Sequence, residues 1–335
     1  EDEAVAVIGA DSNVQSDGEI TVQAENDTTA KALSGGVALK GQVGVGLASS
    51  DIVNKSTTQS LIERNVTLVS DDLSVTATAQ QELAAFGVSA AGADKFGVAG
   101  VANVVHSENT VEAAISDSAE LTNSGDLTLF AQNGFKVINI AGGAAGGGTG
   151  GIGASVATTI MKNKTLAYLG RGSLATVLGT ARIEALAREN LLTISAGGAY
   201  GGTAGVAGSS VVNVLNTTTH AFVGAGSRMN LTLTDSAGQN VYVRAEDQTD
   251  LTSVAGAASY GGTAGIGAAA DVGGINKDTQ AYIDSSSGAQ TTVNAGNTVG
   301  VSAHAEENLI SVAAGFAGGG TVGVAAEGAA GARFR

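Results

Sequence analysis

One pentapeptide pattern, aliphatic-x-aliphatic-x-Ala, recurs six times along this chain. It reads Ile20-Thr21-Val22-Gln23-Ala24, Leu73-Ser74-Val75-Thr76-Ala77 and Leu127-Thr128-Leu129-Phe130-Ala131 in the first half. It returns as Ala181-Arg182-Ile183-Glu184-Ala185, Val241-Tyr242-Val243-Arg244-Ala245 and Val299-Gly300-Val301-Ser302-Ala303. The terminal alanines are 53, 54, 54, 60 and 58 residues apart. A second mark, Gly-Gly-Thr, keeps the same register at Gly147-Gly148-Thr149, Gly201-Gly202-Thr203, Gly261-Gly262-Thr263 and Gly319-Gly320-Thr321. Gln42 and Lys95 take the threonine's place in the two earlier units. A third mark follows as Thr165-Leu166-Ala167-Tyr168-Leu169, Thr219-His220-Ala221-Phe222-Val223 and Thr279-Gln280-Ala281-Tyr282-Ile283. The length variation falls after this third mark, for example between Val223 and Val241.

Repetition at a fixed period of this size means stacked supersecondary units, each unable to bury its core alone. Residues around each mark alternate with period two, the signature of strands. After Gly-Gly-Thr, Ala264, Ile266, Ala268, Ala270 and Val272 share one face. Gly265, Gly267, Ala269, Asp271 and Gly273 share the other. Ile152, Ala154, Val156, Thr158 and Ile160 repeat the first pattern. The branched apolar face is expected to point inward. The small-residue face is expected to point outward, flat enough for neighbouring shafts to pack on Gly265, Gly267 and Ala269.

The expected fold is therefore all-β: a tandem-repeat β-solenoid, specifically a right-handed parallel β-helix. Stacked antiparallel hairpins turning at each Gly-Gly-Thr are the alternative. The whole span 1–335 reads as a single array of about six units, at 20–72, 73–126, 127–180, 181–240, 241–298 and 299–335. A unit of this length could wrap one large flattened coil or two to three smaller ones. The last unit stops before a third mark, and no apolar leader opens the chain. The sequence is thus expected to be a fragment of a longer protein, truncated at both ends.

Composition limits the functions open to such an array. The chain has 50 Gly, no Pro, Cys or Trp, and aromatics at only 4%. A core built of Ala, Val, Ile and Leu is necessarily thin. The net charge of −15, with no basic run, disfavours nucleic acid and anionic membranes. Two long stretches, from Lys136 to Lys162 and from Glu189 to Arg228, hold no charge between their ends. They are Gly-rich and period-two, which reads as buried strand and not as membrane helix.

Segments such as the one running from Ser253 to Asp284 resemble the repeats of very large bacterial surface proteins. These are the filamentous-haemagglutinin-like and leukotoxin-like adhesins. The resemblance covers nearly the whole chain and rests on a Gly/Ala repeat style. It implies export, a β-helical rod, and a role in adhesion or surface structure; it carries no functional residues.

Each candidate for chemistry has a plainer reading. Asp11, Asn13, Asp17 and Glu19 crowd one turn and are weak calcium candidates, without EF-hand or nonapeptide spacing. Asp71-Asp72 are similar. Gly265-Ile266-Gly267-Ala268-Ala269-Ala270 fits a dinucleotide fingerprint formally but lacks the following helix that such a site needs. His106, His220 and His304 occupy unrelated repeat positions, which argues against zinc. Departures from the repeat that an enzyme could use are small: Asp94-Lys95, Arg171 and Arg182. Asn54-Lys55-Ser56 and Asn216-Thr217-Thr218 match the N-glycosylation triplet, read here as strand-end polar residues. Thr232-Leu233-Thr234 is a short threonine pattern without a ladder through the units. Functional amyloid fits the missing proline but not the charge.

The expected function is structural: a shaft of an extracellular bacterial adhesin or surface filament, with no catalysis and no cofactor. Its expected partners are neighbouring repeats or other copies, with no nucleic acid and no membrane insertion. Two alternatives stand beside it. One is a module binding host or matrix glycans through the variable loops. The other is a polysaccharide lyase or epimerase built on a β-helix.

Overall fold

The structure is a computed structural model that describes the chain except residues 124, 231–237, 287 and 335, with only the backbone of 332–334. Thr232-Leu233-Thr234 lies outside the described residues. Every ladder between its named strands is parallel, and the strands form three sheets. Sheet I stacks Ile20–Leu39, Leu73–Ala93, Leu127–Gly147, Thr180–Gly201, Asn240–Gly261 and Thr298–Gly319. Sheet II stacks Asp2–Ile8, Val43–Ile62, Phe96–Ile115, Gly150–Leu169, Ala204–Val223, Ala264–Ile283 and Val322–Phe334. Sheet III is narrow, with strands from Asn13–Gln15 to Thr292–Val293.

One repeat makes one coil. The anchor alanines pair unit to unit: Ala24 with Ala77, Ala77 with Ala131, Ala131 with Ala185, Ala185 with Ala245 and Ala245 with Ala303. Each coil runs along sheet I, turns at Gly-Gly-Thr, returns along sheet II and closes through sheet III. The hairpin alternative fails on this point. The two long strands flanking Gly-Gly-Thr do not pair with each other; they pair with the strands of neighbouring units. The turns stack likewise, Thr203 N–H donating to Thr149 O at 2.8 Å and Thr263 N–H to Thr203 O at 2.9 Å. Six coils at about 4.8 Å are roughly 29 Å tall, while a strand of 20 residues is about 66 Å long. The array is a plate, wider than it is tall.

In cross-section the plate is a wedge. Its thick end, where the three sheets meet, holds Ile62, Leu68, Leu73, Leu121, Leu127 and their stacked equivalents. A middle layer holds Leu83, Phe135, Met161, Leu191, Leu215 and Leu251. Beyond it the core shrinks to alanine, with Ala141, Ala157, Ala207 and Ala255. Towards the Gly-Gly-Thr edge, glycine faces backbone. A β-carbon on Gly153 would overlap the carbonyl oxygen of Gly198, and one on Gly265 that of Gly318.

This taper reverses the expected facing of the strands. Gly265, Gly267, Ala269 and Asp271 point inward, and the branched residues of the same strand point out. Ile152 is 48% exposed and Ile266 45%. Near the thin edge the two sheets lie too close for branched side chains between them. The close approach expected between shafts thus occurs inside each coil, and Gly265, Gly267 and Ala269 are not available to a neighbour.

Candidate functional site

The inner faces carry polar side chains between the apolar layers, bonded from sheet to sheet. Asn54 Nδ2 donates to Gln81 Oε1 at 2.9 Å, and Asn109 Nδ2 to Asn133 Oδ1 at 2.8 Å. Farther toward the thin edge, Thr193 Oγ1 donates to Asn213 Oδ1 at 2.8 Å, and Ser155 and Ser195 share a bond of 2.8 Å. Asp271, fully buried, accepts from Ser253 at 2.5 Å and from Ser311 at 2.6 Å. Buried polar groups require partners. These partners lie on the opposite sheet or the next coil, so the rows lock one long sheet against the other. Asn54 and Ser56, read as strand-end residues, belong to this interior.

The fifth coil adds charge to the interior. Asp247 on sheet I is fully buried, and Lys277 Nζ on sheet II lies 2.6 Å from its Oδ1. Glu189, one coil away, is also buried; it accepts from Thr249 Oγ1 at 2.8 Å and Asn163 Nδ2 at 3.3 Å. Burial, and then the charge of Asp247, push the Glu189 carboxyl up to about 8. Repeat comparison could have flagged these residues. Asp247 stacks between Ala187 and Ala305, and Lys277 on Thr217.

The outer faces divide sharply. On sheet II the column Val45, Val98, Ile152, Val206, Ile266 and Val324 is aliphatic in every coil. On sheet I the column Leu33, Phe86, Ile140, Ile194, Val254 and Val312 is apolar throughout, aliphatic except for Phe86. Both charge-free stretches run through this thin half of the wedge, and the second continues along the whole strand Ala204–Val223 into the thick end. Lys162, Lys164, Lys136 and Glu82 mark where the outer faces turn polar.

At the thick end, a ladder of rings climbs sheet II. Tyr168 stacks on Phe222 with centroids 4.8 Å apart, and Phe222 on Tyr282 at 5.0 Å. The ladder stops at Ala114, which pairs with Tyr168 one coil earlier. An open cleft there is lined by Ala10, Glu63, Arg64, Ser116, Asp117 and Tyr168. Its carboxylates already have partners: Glu63 accepts from Ala10 N–H at 2.8 Å and Asp117 from Arg171 N–H at 2.7 Å. Tyr168 donates to Glu112 at 2.7 Å; burial and that carboxylate raise its phenol above its ordinary range. A sugar-binding platform needs free ring faces, and within the stack the rings spend theirs on one another.

The remaining sequence candidates are dispersed. Asp11, Asn13, Asp17 and Glu19 are all exposed. Asp11 sits at a left-handed turn position, φ 60°, stacked with Asn65 and Ser118, and accepts from Asn65 Nδ2 at 3.0 Å. Glu19 accepts from Thr21 at 3.1 Å. Among the described residues no three His, Asp or Glu side chains gather as a metal-ligating group. Asp72 Oδ1 accepts from Asp126 N–H at 2.6 Å, a bond between coils. His220 pairs with Asp278 at 3.0 Å beside Tyr282; His304 is exposed, 3.9 Å from Glu306. Arg182 reaches Asp126 at 3.3 Å on the surface, and Asp94-Lys95 form an edge turn. The formal dinucleotide fingerprint lies within the strand Ala264–Ile283. Among the described residues no helix is long and apolar enough to cross a membrane.

In comparisons with known proteins, no family model, no curated protein and no solved structure matches this chain.

Proposed function

We propose that this chain is a shaft segment of an extracellular bacterial adhesin or surface filament, acting by length and stiffness and not by catalysis. The observation that carries this reading is the unbroken register. Both long sheets pair residue for residue through successive coils, and no outer-face insertion interrupts them. Stacking of this kind makes stability a sum of coil and nearest-neighbour terms. Any coil is then dispensable if its neighbours can pair.

Lateral association of copies belongs to the same reading. The thin half of each outer face is about ten residues wide and six coils tall, roughly 900 Å². A partner in a stable complex contributes about 800 Å². A second copy offers the same strand spacing along its own aliphatic columns, so side chains can interdigitate over the full height. The acidic surface elsewhere keeps other approaches apart.

Deleting residues 127–180 tests the shaft reading, because Ala181 then inherits the place of Leu127 above Leu73. The expected product is a cooperative five-coil array, about 5 Å shorter by small-angle scattering. Loss of folding, or specific saturable glycan binding that the deletion abolishes, overturns the reading in favour of a binding module.

A further inference from the structure

Asp247 and Lys277 sit on the two long strands of one coil, Asn240–Gly261 and Ala264–Ile283. They meet across the interior beside the middle apolar layer, where Leu215 and Leu251 pack. The Lys277 side chain is 6% exposed and that of Asp247 is closed to solvent. Asp247 Oδ2 accepts the Thr219 hydroxyl at 2.9 Å. Oδ1 is different: Nζ lies 2.6 Å away, yet Oδ1 accepts no hydrogen bond of normal geometry. Two backbone carbonyls hold the nitrogen there, Asp247 O at 3.3 Å and Glu306 O at 3.0 Å. Glu189 pairs in register with Thr249, the next inward residue after Asp247, so its carboxyl is a diagonal neighbour of the pair.

An ammonium and a carboxylate taken out of water cost several kcal/mol each. The pair is held this close away from water and off the hydrogen-bonding direction of Oδ1, which keeps the nitrogen and the carboxyl group in lasting proximity. We propose that Lys277 and Asp247 become joined by an intramolecular amide bond.

The step balances without any further reactant. One proton passes from Nζ to the Asp247 carboxylate, giving an amine and a carboxylic acid. The Nζ lone pair attacks Cγ, and a C–N bond forms. The Cγ–OH bond breaks, and the hydroxyl leaves as water with a proton released by the nitrogen. Nothing is oxidised or reduced, and one water is lost. Both buried charges vanish. Glu189 is a positioning residue that keeps a proton and a second carboxyl dipole beside the pair.

The bond gives the coil a covalent clasp. It closes the loop from Asp247 to Lys277 around the thin edge, the part of the wedge with the smallest apolar core. A chain pulled from its ends could not pay out that loop.

The test is the intact mass of the folded, purified chain after transfer to denaturant. The expected mass is below the sequence mass by one water, about 18 Da. Trypsin is expected to leave the chain uncut after Lys277, since an acylated lysine is not a cleavage site. Lys277→Arg and Asp247→Ala should each restore the full sequence mass. Glu189→Gln should slow the loss of water after refolding, read by mass against time. A wild-type chain at full sequence mass, cleaved normally after Lys277, overturns the proposal whether or not the variants fold.

Discussion

Gly153 on sheet II faces Gly198 on sheet I so closely that a β-carbon on the first would overlap the carbonyl oxygen of the second. The same relation recurs at Gly151 with Tyr200 and Gly205 with Tyr260. Backbone against backbone is what the thin half of the wedge consists of.

That contact makes neighbouring residues respond oppositely to substitution. Gly153→Val must push the sheets apart, and overpacking of a tight core costs about 1–3 kcal/mol or more. Ile152→Thr, one residue away and facing out, should change stability by less than about 1 kcal/mol. Urea midpoints of the two variants check this. Equal sensitivity at both positions would mean that the strand faces are not as described.

Stability should depend on pH through Glu189. While Asp247 and Lys277 are unjoined, its carboxyl, ordinarily at 4.5, is raised to about 8 by burial first and then by the charge of Asp247; once the amide has removed that charge, burial still raises it. The folded chain therefore holds a proton that the unfolded chain releases across that interval. The contribution of this group is complete below about 4.5, declines as pH rises, and is gone above about 8. Glu189→Gln should flatten the decline between pH 5 and 8.5, measured as urea midpoint against pH. An unchanged slope in the variant would assign the dependence to other groups.

The aliphatic columns predict how copies associate. Val206→Lys with Ile266→Lys places charge on the outer face of sheet II while leaving the interior intact. Sedimentation should show concentration-dependent association lost and the melting temperature nearly unchanged. Gly265→Lys with Gly267→Lys should instead unfold the coil, because those positions face backbone. Persistent association in the outward double variant would remove sheet II from the contact.

Much of this was legible in the chain. The Ala24 to Ala303 series has one alanine per coil because parallel stacking puts equivalent residues side by side, and local alternation gave strands on both sides of each Gly-Gly-Thr. Candidate sites were less legible. The turn residue Asp11 looks like a ligand in sequence, but in space it is one step of a stack and is bonded to Asn65 of the next coil. The charges that do meet, Asp247, Lys277 and Glu189, are up to 88 positions apart in the chain and share no motif.

The sequence by itself determined the period, the all-β content and the need to stack, because these follow from repetition and from dihedral preferences that act within a few residues. Only the tertiary structure decided that each repeat is a single coil, which face of each strand looks inward, and which charges are buried together. Period-two alternation has two faces and no label for either. The distance between sheets I and II supplies the label, and that distance is set by side chains some 45 residues apart in the chain, such as Gly153 and Gly198.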